Sequence, residues 1–124
     1  MRVSTLVVVI ALIAGLGYYL SKTGTLDKMR KDADNSFGVH YAKGQGSFNA
    51  SKYEEAIKEF EKALALSAAD SDAPVASMRI GDCYKELKQN EKAIDAYQKC
   101  IKDYPNFRQR GQIEQTIEKI KGLK

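Results

Sequence analysis

The chain has 124 residues, a formal net charge of +4, two cysteines, two prolines and no tryptophan. Two cysteines are too few for the disulfide framework of a small secreted domain, and Cys83 and Cys100 stand at no metal-ligand spacing. Few prolines, and few β-branched residues beyond position 20, point to an all-helical chain.

Residues 3–20, VSTLVVVIALIAGLGYYL, carry no charge. As a helix these eighteen residues rise ~27 Å, close to the ~30 Å of a bilayer's hydrocarbon core. Tyr18 and Tyr19 suit the headgroup layer, where a ring is half wet, and Arg2 and Lys22 flank the stretch. The expected element is a single transmembrane anchor over residues 1–21. A cleaved signal peptide is the alternative, with Arg2 as its basic head, but Gly15-Leu16-Gly17 is a poor cleavage site. No early carboxylate marks a pilin-like stem, and no lipobox cysteine directly follows the stretch as a lipoprotein needs. Ala11, Ala14, Gly15 and Gly17 give the segment a small-residue side suited to close contact with another membrane helix.

Residues 22–36 form the juxtamembrane segment, either a helix or a solvated tether. Leu26, Met29 and Ala33 fall at helical spacing there. Charge is unevenly spread beyond the anchor. Residues 21–50 hold five basic and three acidic side chains, residues 51–107 nine and eleven, and residues 108–124 five and two. The body is near neutral with basic flanks, and basic residues beside an anchor meet anionic headgroups. No basic stripe with interleaved aromatics is present, which argues against a nucleic-acid partner. Lys22, Lys28, Arg30 and Lys31 follow the anchor, so the positive-inside rule leans the body toward the cytoplasm. The tendency of short bacterial amino termini to stay inside points instead to the periplasm.

Residues 37–107 contain two self-similar units. Gly44, Ala56, Phe60 and Ala63 in the first match Gly81, Ala93, Tyr97 and Cys100 in the second, each at an offset of 37. Gly81 and Ala93 are small where paired helices approach closely. Ile80, Tyr84, Ile94 and Tyr97 are apolar at helical spacing and face the partner helix. Ser51-x-x-Glu54 reads as a capping box, Asp72 as a cap before Pro74, and Lys88-Gln89-Asn90 as the turn between paired helices. Pro105 ends the fourth helix. Ile113, Ile117 and Ile120 then define an amphipathic capping helix in residues 108–124, the kind of terminal cover a stacked array needs.

The second unit reads Ser77-x2-Ile80-Gly81-x2-Tyr84, Ala93-x3-Tyr97, Pro105. This resembles the tetratricopeptide repeat (TPR) pattern W-x2-L-G-x2-Y…A-x3-F…P. The first unit departs from it at Lys43 and Ser47, where leucine and tyrosine are usual, and at Ala68 in place of proline. The resemblance implies a short helical-hairpin solenoid of two repeats plus the capping helix. It implies a groove lined by the first helix of each pair. That groove offers Tyr41, Gln45 and Phe48 in unit one, and Met78, Asp82, Lys85 and Glu86 in unit two. Asp82 would repel a carboxylate, so a clamp for chaperone C-termini is not expected.

Catalytic chemistry is not expected. The single histidine, His40, stands where the family has an aromatic residue and reads as a packed ring. Gly44-x-Gly46 reads as a helix end or turn, lacking the lysine of a phosphate loop. Glu54, Glu55, Glu59 and Glu61 read as a solvated face, and both cysteines as small buried side chains. No cofactor or metal is implied. The expectation is a single-pass protein of a bacterial inner membrane. It would be a scaffold or adaptor that grips protein partners, an accessory subunit of a membrane complex with the bilayer as its second contact. The alternative is an independent peptide or client receptor of chaperone or translocation type.

Overall fold

The computed structural model describes residues 2–123, with side chains from Ser4 onward. The Arg2 side chain that heads the anchor reading lies outside the described residues, as do Met1 and Lys124. The chain divides into two units, residues 1–35 and 36–124.

The first unit holds α1 (Arg2–Lys22) and α2 (Thr25–Asp34). Its apolar side chains find no cover in the protein: Leu6, Leu12, Ile13 and Tyr18 are each more than 60% exposed. Such exposure in water forfeits about 1.5–3 kcal/mol per large side chain. Over Ser4–Lys22 the helix is long and apolar enough to cross a membrane, a test that a signal sequence also passes. Thr23 closes α1 by donating its hydroxyl to the Tyr19 carbonyl at 3.0 Å. Gly24 then takes the left-handed conformation (φ 70°), which glycine adopts without a side-chain clash. The juxtamembrane segment is therefore helical over most of its length. Leu26 and Met29 remain on the surface of α2.

The second unit stacks α3 (Phe37–Asn49), α4 (Tyr53–Leu66), α5 (Ala73–Glu86), α6 (Asn90–Asp103) and α7 (Arg110–Lys121). Helices α3 and α4 form one hairpin and α5 and α6 the next. Helix α5 also packs on α4, and α7 on α6. Each hairpin is closed by the same ring-on-glycine contact. A Cβ at Gly44 would fall 2.7 Å from the Phe60 ring, and one at Gly81 would fall 2.6 Å from the Tyr97 ring. Both rings are buried, so neither can yield cheaply. Gly44 is thus an interior residue of α3, not the helix end that its Gly-x-Gly context suggests. We expect Gly81→Ala to destabilise the unit by about 1–2 kcal/mol, the overpacking cost outweighing the gain in helix propensity. Urea unfolding of the variant checks this; an unchanged midpoint would contradict the contact.

The turns repeat as faithfully as the cores. Ser51 and Lys88, 37 positions apart, both sit at φ 60°. Ser51 N–H donates to the Phe48 carbonyl and Lys52 N–H to that of Ser47, at 3.0 and 2.8 Å. Lys88 and Gln89 do the same to Lys85 and Tyr84. These are paired closing bonds around a left-handed residue, which satisfy the last carbonyls of α3 and α5. Ser51 is therefore the residue that ends α3, and the capping box expected from Ser51 and Glu54 does not form. Asp72 does hold the cap position of α5, but its side chain makes no capping bond. Its backbone N–H donates instead to Asp70 Oδ1 at 2.9 Å, folding the linker back on itself.

Two apolar clusters fill the body. Phe37, Ile57, Phe60, Ala76 and Cys83 belong to the first. Tyr97, Cys100, Ile113, Ile117 and Ile120 belong to the second. The three isoleucines of α7 are 2–5% exposed, so this helix covers the apolar end of the stack.

Candidate protein-binding surfaces

Five of the seven residues that the sequence marks for a groove, Tyr41, Gln45, Phe48, Met78 and Asp82, are engaged by neighbouring side chains. On α3, Tyr41 stacks on Phe37 at 5.6 Å between centroids and leans on Phe60 at 5.9 Å. Gln45 Nε2 donates to the Tyr41 hydroxyl at 2.9 Å. Phe48 meets Tyr53 edge-on, and the Arg79 guanidinium lies 5.0 Å over its ring. Phe48 is thereby joined to α5. On α5, Asp82 accepts from the Tyr97 hydroxyl and from Arg79 Nη1. Burial, and after it the Asp82 carboxylate, push the Tyr97 phenol far up. Met78 packs against the cluster around Tyr97. Lys85 is half-buried and Glu86 exposed. Asp82 and Met78 are thus supports of the α5–α6 packing as well as surface residues, which the sequence pattern alone does not reveal.

The larger concavity lies elsewhere. A groove of about 720 Å³ opens between α4 and α6, with α5 as its floor. Leu64, Ile80, Tyr84, Ala65 and Ala96 supply its apolar surface. Glu61, Lys92, Asp95, Lys99 and Asp103 form a rim of mixed sign. Lys92 Nζ sits 5.9 Å over the Tyr84 ring. Burial, then the Glu61 carboxylate, raise the Tyr84 phenol. Tyr104 closes one end by donating to the Ala68 carbonyl at 2.8 Å. In the sequence Ile80 and Tyr84 read only as core positions, so this groove is not visible there. The opening comes from how far α4 and α6 stand apart, which no local pattern encodes.

The remaining polar groups serve packing. His40 Nδ1 lies 2.6 Å from Glu59 Oε2, tying α3 to α4, and Lys62 donates to Glu59 Oε1 at 3.2 Å. The His40 hydrogen bond first, then Lys62, hold the Glu59 carboxyl below its ordinary value against the opposing effect of burial. Glu59 is thus engaged, not a member of a solvated acidic face. Cys83 and Cys100 are free thiols, each fully buried. Burial pushes the Cys83 thiol up to about 12, far from the range of a reactive thiolate. Burial raises Cys100 too.

The architecture is one of paired helices with a small residue under each packing ring, repeated at fixed offset and closed by a terminal helix. The tetratricopeptide repeat matches at residues 38–70 and again at 75–106. The chain belongs to the tetratricopeptide repeat family. Its repeats form a protein–protein interaction scaffold. The chain is similar to a chloroplastic protein of Arabidopsis thaliana, with 29% identity over 82 residues, 65% of this chain and 23% of that protein. It is also similar to Photosystem I assembly protein Ycf3 of a Synechococcus species, with 29% identity over 68 residues, 55% of this chain and 39% of that protein. The chain thus spans well under half the length of these curated relatives.

Proposed function

We propose that this protein is a single-pass membrane adaptor, an accessory subunit of a membrane complex, whose two TPR units hold a protein partner from assembly onward. It acts by binding rather than by catalysis. The observation that carries the reading is the pairing of an uncovered apolar helix with a TPR body that has an open groove. Helix α1 needs a lipid or protein environment for its exposed leucines, isoleucines and valines. The relative named for photosystem I assembly supports a role in building a complex. The basic residues after α1, Lys22, Lys28, Arg30 and Lys31, favour a cytoplasmic body.

The partner is best accommodated between α4 and α6, where apolar side chains lie under a charged rim. That surface suits a segment bearing a few apolar anchors with charges of both signs beside them. Ala65 and Ala68 line it and are exposed, so larger side chains there should leave the fold intact. We expect Ala65→Arg with Ala68→Arg to reduce partner recovery at least tenfold in co-purification from detergent-solubilised membranes, with helicity and melting unchanged. Retention of the partner would move the contact to the α3–α5 face of Tyr41, Gln45, Phe48, Met78, Asp82, Lys85 and Glu86.

A further inference from the structure

The two repeats differ most where they should be most alike. In unit two, Ile80, Tyr84 and Ala96 face α4 across the groove. At the same 37-residue offset, unit one has Lys43, Ser47 and Glu59. Within the repeat body no helix precedes α3 to cover that face. The departures at Lys43 and Ser47 are thus the polar end of the stack, as an array needs where it meets water.

A polar end need not be basic, and this one is. The surface between α3 and α4 forms a shallow groove of about 500 Å³ lined by Lys43, Lys52, Lys58, Lys62, Glu55 and Glu59. Glu59 is occupied by His40 and Lys62. Among the described residues no ion pair engages Lys43, Lys52 or Lys58, and all three side chains are exposed. Three unpaired ammonium groups therefore face one carboxylate, Glu55. Lysine binds phosphate as a point charge from many directions, which suits a fluid surface of headgroups better than a fixed ligand. This face also belongs to the repeat that follows the anchor in sequence, Lys43 lying 21 residues beyond Lys22.

We propose that the basic end of the repeat stack docks on the anionic phosphate headgroups of the bilayer that holds α1. The proposal rests on the membrane reading of α1. Docking would confine the repeats to the membrane surface and leave the α4–α6 groove, on the next interval of the stack, for the protein partner.

The test uses the full chain in vesicles, of zwitterionic lipid alone or with about a third anionic phospholipid. Asn49→Cys, on the exposed end of α3, is labelled from outside with an impermeant dye. The buried native thiols should not compete. Energy transfer to a headgroup acceptor reports proximity, and the same dye at Gln115→Cys on α7 is the control. Anionic lipid is expected to raise transfer at Asn49→Cys and not at Gln115→Cys. Each lysine lost from Lys43→Gln, Lys52→Gln and Lys58→Gln should weaken docking about fivefold, roughly a hundredfold together, and high salt should act in the same direction. Transfer that ignores anionic lipid in a chain that floats with neutral vesicles overturns the docking and leaves the anchor. Failure to float with neutral vesicles overturns the anchor, and flotation with anionic vesicles alone then decides the docking. Release by millimolar inorganic phosphate, but not by chloride of equal ionic strength, would make this a site for free phosphate and overturn the lipid assignment.

Discussion

Tyr97→Ala is expected to cost the repeat body about 3–5 kcal/mol, the range for removing a large buried aromatic side chain. Tyr97 is 1% exposed, and its ring fills the space left open at Gly81. Its hydroxyl also satisfies Asp82, which would lose that donor. Small domains are stable by about 5–15 kcal/mol in total, and an array of two repeats stands toward the low end. The variant should therefore be largely unfolded at physiological temperature, read by circular dichroism and urea titration. Tyr97→Phe separates the two contributions. It keeps the ring on Gly81 and removes only the hydrogen bond, so its loss should be about 1–2 kcal/mol. Equal losses for the two variants would mean that the ring contact contributes nothing.

Where the protein partner is absent, deleting residues 2–20 should release the protein wholly from membranes while the melting curve of the repeats stays unchanged. Residues 36–124 form a compact unit with their own apolar clusters, so their folding does not call on α1. Fractionation after a high-salt wash is the measurement, because salt removes attachment that depends on basic residues alone. A shortened chain that still sediments with salt-washed membranes lacking the protein partner would show that α1 is not the anchor. Intact mass of the protein taken from membranes separates an anchor from a signal sequence, since a cleaved chain would lack the segment.

The repeat register was legible because it rests on residue size. Glycine at 44 and 81 and an aromatic ring at 60 and 97 are demanded by how closely paired helices approach. The α7 stripe of Ile113, Ile117 and Ile120 was legible for the same reason, through helical periodicity. The turns were not. Ser51 has a capping residue's chemistry and a glutamate three positions on, yet the backbone bonds that close α3 place it in the left-handed region. Tertiary closure of the hairpin overrides the local preference of the side chain. His40 gave no sign of its partner, since Glu59 is 19 positions away and is brought to it only by the α3–α4 packing. Asp82 looked like free surface because its donor Tyr97 is 15 positions away and is brought to it only by the α5–α6 packing. Lys43 and Ser47 looked like erosion of the pattern. Their place on the first hairpin of the stack, where Lys43 is exposed, explains them as the polar face the array requires.

An anchored adaptor would stay in lasting association with a protein partner through its repeats. Its most direct test is native-state mass measurement of the full chain extracted from its own membranes in mild detergent, beside the Ala65→Arg, Ala68→Arg variant. The expected result is a complex containing a second protein in fixed ratio, and a bare chain from the variant at equal expression. A wild-type chain that emerges alone, or that carries a changing mixture of peptides in no fixed ratio, would contradict it.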